Sequence, residues 1–517
     1  MSPHQSPVAI GTGPVSALDV VAVARHDARV ALSDDARTAI DKGRAVITEL
    51  AGDDEAHYGV STGFGALATR HIPVERRAAL QLSLIRSHAA GSGTEVEREV
   101  VRAMMLLRLS TLATGRTGIR LETAQAYAEL LNHGITPVVH EYGSLGCSGD
   151  LAPLSHCALA LLGEGWVRDA NGDRLPAADA LASAGLQPVT LTEKEGLALI
   201  NGTDGMLGQL ILALHDLDAL MAIADIAAAT SVEVLLGTDA AFAADLVALR
   251  PHPGQAASAA NLRALLAGSG IMASHRVPGA CTRVQDAYSL RCSPQVHGAA
   301  RDTFAHARTV ADRELTAAID NPVVTPDGRV ESNGNFHGAP VGYVLDFAAI
   351  AVADVASIAE RRTDRMLDVA RNQGMPAFLA ADPGVDSGHM IAQYTAAGIV
   401  SELKRLAAPS SVDSIPSSAM QEDHVSMGWS AAHKLRRAVD GLTRVLAVEI
   451  LTGVRAMDLR APLTPAPATA AIRASVRRDV PAPGPDRFLT PELDAVVDQI
   501  RSGALTATVS DVIGELH

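Results

Sequence analysis

The chain has 517 residues, 48% hydrophobic and 20% charged, so a large buried core is possible and wholesale disorder is excluded. A formal charge of −15 with no long basic run argues against nucleic acid or an anionic membrane surface as a partner. Length alone suggests about three or four domains.

Residues 1–16 carry His4 but no cationic stretch followed by an apolar core, so no signal peptide is expected. Thr94-Glu95-Val96-Glu97 reads as a capping box, opening a helix that runs to Gly115. A second helix is expected over about 121–134, and Asp150 stands where it can cap a third over 151–163. Residues 166–175, turning at Asn171-Gly172, read as a hairpin. Long helical periodicities follow near 206–236, 341–371, 389–407 and 424–455, with a second hairpin at 323–331 around Pro326-Asp327-Gly328. The apolar stretches are broken by Asp216, Asp218, Asp225 and Glu233, and by Asp346 and Asp354, so core helices are expected and no membrane span. A Pro- and Ala-rich strap at 461–485 precedes a last helix near 491–503. The expected fold is mainly α: a long antiparallel central helical bundle with few short hairpins. The expected domains are 1–200, carrying the chemistry, 201–455, the long helices, and 456–517, a strap and terminal helix.

Several chemistries are set aside early. No GxGxxG or P-loop appears, and no βα alternation supports a nucleotide fold. The few lysines (Lys42, Lys194, Lys404, Lys434) lack a Gly/Ser-rich phosphate cradle, so pyridoxal phosphate is not expected. Cys147, Cys157, Cys281 and Cys292 are too few and too scattered for a disulfide framework or a zinc site, which suits a reducing cytoplasm; Cys281 and Cys292 are expected to be buried thiols. His424, near Glu422, lacks the spacing of a metal motif, so no metal is expected.

The most informative segment runs from Gly143 through Gly146-Cys147-Ser148-Gly149-Asp150 to Leu154. Taken alone it is a glycine turn leading into a helix. Yet a glycine amide nitrogen is unhindered, and its backbone can fold back onto a carbonyl two residues upstream. Attack of the Gly149 nitrogen on the Cys147 carbonyl, with loss of one water from the ring and one from Ser148, gives a conjugated ring bearing an exocyclic methylene. That product is a strong electrophile made without an added cofactor.

This segment resembles the cofactor-forming loop of the aromatic amino-acid ammonia-lyases and aminomutases, which build 4-methylideneimidazol-5-one (MIO) from Ala-Ser-Gly. Cys147 stands where most members have Ala. Tyr58-Gly59-Val60-Ser61-Thr62-Gly63-Phe64-Gly65 resembles the family's tyrosine loop. Asn201-Gly202-Thr203 after Lys194-Glu195-Gly196-Leu197, the 285–292 segment from Gln285 through Tyr288 and Arg291 to Cys292, Asn335-Phe336-His337-Gly338, and the 421–427 segment with Glu422 also match, in the family's order.

The resemblance implies a fumarase/aspartase-like helical architecture and a homotetramer whose active sites are shared between chains, with Tyr58 supplied by a different chain than the ring. It implies loss of ammonia from an L-amino acid to give a trans-unsaturated acid. Cys147, Ser148 and Gly149 would form the ring, Tyr58 would take the β-proton as a phenolate, and Tyr288 would polarise the ring or orient substrate. Arg291 would clamp the substrate carboxylate, Asn201 and Gln285 would donate hydrogen bonds, and Phe336 would wall the pocket. His88 and Glu422 would choose the side chain. A carboxylate suits an imidazole, which donates N–H, so the leading expectation is L-histidine converted to trans-urocanate. Deamination or 2,3-rearrangement of tyrosine is the nearest rival, and a non-catalytic helical scaffold a remote one. Met420 departs from the family, standing where many relatives have Asn.

Overall fold

The computed structural model describes residues 7–517 apart from 53–56, 64, 68 and 282. His4 and Phe64 lie outside the described residues. The architecture is mainly α, with four small sheets of two or three strands among the described residues. By contact density the chain divides into two compact units. One comprises Met1–Ala213, Arg308–Asp346 and Pro409–His433; the other comprises Leu214–Ala307, Phe347–Ala408 and Lys434–His517.

The first unit holds all four sheets and the short helices. Its centre is the helix Arg98–Ala113, whose residues from Val100 onward are all buried, Arg102 and Arg108 included. A charged residue in such a run survives only with partners. Arg108 donates to the Asn201 carbonyl at 2.8 Å and the Ile319 carbonyl at 2.8 Å, which ties two distant loops to one helix. Lys194 and Asp320, both fully buried, pair at 2.6 Å beside them.

Two sequence expectations are corrected in this unit. Thr94 and Glu95 do not cap a helix: Ser92–Glu95 is a strand antiparallel to His140–Tyr142, and the helix starts at Arg98. The side chains are otherwise engaged, Thr94 Oγ1 donating to Glu141 at 3.2 Å and Glu95 receiving Arg168 at 2.8 Å. Asp150 precedes the helix Leu151–Leu161 but makes no cap bond to it. Its carboxylate accepts instead from the Gly205 and Met206 amides, at 2.9 and 3.0 Å, at the start of another helix, Asp204–Val234. Both expected hairpins form, with strands Trp166–Arg168 and Arg174–Pro176, and Val323–Val324 and Val330–Glu331.

The second unit holds the greater part of the long helices, four of which begin or end in residues of the first. Asp204–Val234, Ala339–Leu367, Met390–Leu406 and Gly428–Leu459 follow the four expected periodic stretches, while a further long helix, Ser293–Leu315, went unread in the sequence. A buried ionic node joins four of them. Glu449 accepts from Ser231 at 2.6 Å and pairs in a bidentate way with Arg362 at 2.5 and 2.9 Å, while Arg362 also reaches Ser293 at 3.3 Å. With both charges fully buried, losing one partner strands the other, at a cost of about 3–5 kcal/mol. The strap at 461–485 is not wholly irregular, since Pro467–Asp479 is a helix. Proline at the first helical position costs no hydrogen bond, and the alanines after it favour the helix. Ala339–Leu367 is long and apolar enough by composition to cross a membrane, but 61% of its most apolar window is buried within the protein. Cys281 is exposed and Cys292 half-buried, contrary to expectation; both flank a loop and a one-turn helix rather than sitting in the core.

Candidate active site

A cavity of about 510 Å³ in the first unit is lined by Tyr58, His88, Ser148, Asn201, Asn321 and Glu422, with Leu80, Leu84, Leu151, Leu197 and Ile200 among its apolar walls. Its size and its few polar groups on an apolar lining suit a small-molecule site.

The loop 143–149 is pinned from both sides. The Gly146 carbonyl accepts from Ser426 Oγ at 2.6 Å and from the Gly338 amide at 3.1 Å. Gly149 adopts φ +78°, and a Cβ there would lie 2.1 Å from the Gly202 carbonyl oxygen, so no side chain fits. Next to it the Asp150 amide donates to that same carbonyl at 2.7 Å. Ser144 Oγ donates to Asp150 at 2.9 Å, and burial raises the Asp150 carboxyl to about 7 despite its three donors. Cys147 and Gly149 are buried while Ser148 is half-buried and faces the cavity. A tight, pinned turn with glycine third and serine open to a cavity fits formation of the ring from these residues.

Glu422 meets this loop directly. Its Oε1 accepts from Ser148 Oγ at 3.0 Å, and its Oε2 accepts from Cys147 Sγ at 3.1 Å and Ser417 Oγ at 2.9 Å. Burial, then the Glu422 carboxylate, pushes the Cys147 thiol up to about 12, so it stays protonated and donates. The reversal that presents Glu422 passes through Ser418, Ala419 and Met420, all in the left-handed region. Three consecutive non-glycine residues there store strain, which concentrates at functional sites. Met420 itself is 67% exposed and does not line the cavity.

Tyr58 enters the cavity of its own chain, which corrects the expectation that it serves another chain's ring. Its hydroxyl accepts from the Gly65 amide at 3.2 Å. Burial raises the phenol above its ordinary value and the Glu422 charge adds to this, with Gly65 opposing. The site within one chain therefore favours phenol, not the expected phenolate. His88 ends the helix Arg77–His88, with Nδ1 3.0 Å from Ser87 Oγ; burial lowers its imidazole, keeping it neutral near pH 7. Asn201 Nδ2 donates to the Asn321 carbonyl at 3.1 Å, while its buried Oδ1 has no hydrogen-bond partner among the described residues.

The remaining expected site residues are not gathered there. Phe336 is half-buried in the first unit outside the cavity lining. Gln285, Tyr288 and Arg291 belong to the second unit, where Gln285 is exposed and Tyr288 is 71% exposed. Arg291 stacks on Tyr288 at 4.7 Å and donates to the Asp286 carbonyl at 3.0 Å. Sequence reasoning missed Asn321, Ser417 and Arg108. Only Arg108 carried a signal, a cation set among apolar residues of a helix.

The aromatic amino acid lyase family profile matches residues 15–478. The chain is 64% identical over 510 residues to the histidine ammonia-lyase of Streptomyces avermitilis, covering 98% of this chain and 99% of the relative. The Streptomyces coelicolor enzyme of the same name is 63% identical, over 99% of each chain. Among solved structures, histidine ammonia-lyase from Trypanosoma cruzi superposes with a TM-score of 0.90 at 38% identity, over 98% of this chain and 95% of that one. Tyrosine aminomutase from Streptomyces globisporus gives 0.92 at 36% identity, over 99% and 100%.

Proposed function

Since the chain belongs to the aromatic amino acid lyase family, we infer that it releases ammonia from L-histidine to give trans-urocanate. The observation that carries the choice of substrate is Glu422, a carboxylate in the cavity that holds Ser148, with His88 lining the same cavity. A carboxylate there can accept the imidazole N–H, whereas an aliphatic or phenyl side chain would leave it unpaired, a costly mismatch.

The residues divide the work. The ring made from Cys147-Ser148-Gly149, once formed, supplies an electrophile that turns the amine into a better leaving group. Asn201 has an unpartnered buried Oδ1, suited to accept from the substrate ammonium. Tyr58 takes the β-proton. Gln285, Tyr288 and Arg291 are presented outward from the second unit, and we assign them to the cavity of a neighbouring copy in a homotetramer, Arg291 holding the carboxylate in its planar fork. The helix Ala339–Leu367 supports self-association, because Tyr343, Phe347 and Ile350 leave one exposed apolar stripe along it. Four free thiols suit a reducing compartment, the cytoplasm.

The test is a side-by-side assay of purified protein with L-histidine and L-tyrosine, following ammonia and the near-ultraviolet absorbance of the conjugated acid. Release from histidine alone is expected; release from tyrosine instead would overturn the reading of the pocket. The pH profile examines Tyr58. A base with a raised pKa is mostly protonated at neutral pH, and each pH unit below its pKa costs about tenfold in phenolate. Turnover is therefore expected to climb from neutral into alkaline solution. Tyr58→Phe is expected to lower kcat by about 10²-fold or more and to remove that climb. A variant with an unaltered profile would assign the proton to another group.

A further inference from the structure

We propose that Glu422 also acts in the maturation of its own chain, delivering the proton that carries off the Ser148 hydroxyl when the ring forms. This rests on the reading above that Cys147-Ser148-Gly149 cyclises. The Ser148 hydroxyl donates to Glu422 Oε1 at 3.0 Å, while Oε2 receives Cys147 Sγ and Ser417 Oγ. One carboxyl group thus grips two of the three residues to be joined. The Ser148 contact has no place in recognising substrate, because the hydroxyl is gone from a matured chain. That one contact must therefore matter before that point or not at all.

The chemistry gives such a partner a task. In the first dehydration the Gly149 nitrogen bonds to the Cys147 carbonyl carbon, and the Cys147 oxygen leaves with the protons of Gly149 N–H and Ser148 N–H. The second water comes from Ser148 alone. Its Cα–H and Cβ–O bonds break, the C–H pair becomes the new Cα=Cβ bond, and the C–O pair departs on oxygen. Hydroxide is a poor leaving group; the Glu422 carboxylate, which accepts from Ser148 Oγ in the structure, first takes up a proton from solvent and then hands it to that oxygen as the C–O bond breaks, which lowers the barrier. The proton released from Cα passes to solvent, replacing the one Glu422 drew from it, so Glu422 ends as the carboxylate it began and the balance is the loss of one water. Other polar groups nearby are committed elsewhere: Asp150 accepts from Gly205, Met206 and Ser144, and the Tyr58 hydroxyl accepts from Gly65. Among the described residues, Glu422 is the acidic side chain hydrogen-bonded to Ser148.

The experiment follows the intact mass of the full-length chain over time after synthesis, for the native sequence, Glu422→Gln and Glu422→Asp, with helix content by circular dichroism. The native chain is expected to end two waters lighter than encoded. E422Q, with the same shape but no acid, is expected to collect as a species one water lighter, its second loss slowed about 10²-fold or more. E422D, which keeps an acid on a shorter arm, is expected to complete both losses, more slowly than the native chain. Two-water loss in E422Q at the native rate would overturn the proposal. So would an E422Q chain of native helix content that stays at its encoded mass, since Glu422 would then shape the loop for closure. A native chain that never becomes lighter defeats the functional reading instead, and the two failures are told apart by that control.

Discussion

Replacing Ser148 by alanine is expected to abolish ammonia release from L-histidine while leaving the fold intact. Alanine has no hydroxyl to lose, so no exocyclic methylene can form and the amine meets no electrophile. Without that electrophile ammonium must depart unaided from a carbon next to a weakly acidic β-hydrogen, and turnover is expected to fall by about 10³-fold or more. The fold has little reason to respond. Ser148 is half-buried, and its hydroxyl makes one hydrogen bond, to a carboxylate that keeps Cys147 and Ser417 as donors. The loss of such a bond costs on the order of 1 kcal/mol, so the melting temperature should move little. Ammonia assay and thermal unfolding on the same sample decide it. Retained turnover in a folded S148A chain would remove the ring from the mechanism.

The second large effect is expected at Glu422. Glu422→Ala should lower kcat/KM for L-histidine by about 10²-fold or more, since a charge-assisted hydrogen bond to the imidazole is lost and the polar wall of the pocket is left open. Because Glu422 also touches Ser148, the rate must be expressed per chain that is two waters lighter than encoded. Activity toward L-tyrosine, which has less use for the carboxylate, should not fall in parallel. An unchanged histidine rate per mature chain would take away the reason for placing an imidazole against this residue.

How far the sequence discloses this site depends on the kind of residue. The loop 143–149 is legible because ring closure needs glycine third and serine second, and backbone chemistry of that sort leaves a mark in the residue types. The long helices are legible through their periodicity. The Thr94–Glu97 box misleads because its residues find better partners across a strand pair, while a true box at Ser16 and Asp19, both of its bonds formed, opens the helix Ala17–His26 unnoticed. Ser417 and Asn321 are illegible for a different reason. Asn321 contributes an ordinary carbonyl to Asn201, 120 residues away, and Ser417 an ordinary hydroxyl to Glu422 across a tight reversal whose left-handed backbone no residue type there signals. Nor did Tyr58 announce that burial would raise its phenol, since burial belongs to the assembled cavity and not to the tyrosine loop.

The pinning of the Gly146 carbonyl has a consequence in time. Its partners are Gly338 and Ser426, the latter 280 residues further along the chain. At about 5–20 residues per second a ribosome needs on the order of 15–60 s to travel from one to the other. Throughout that interval the serine that is to become an electrophile exists in a nascent chain that lacks the far side of its own clamp. If closure of the proposed ring needs that clamp, the reactive group is deferred until nearly the whole polypeptide has been made, and a chain stalled before residue 426 is expected to carry an ordinary serine.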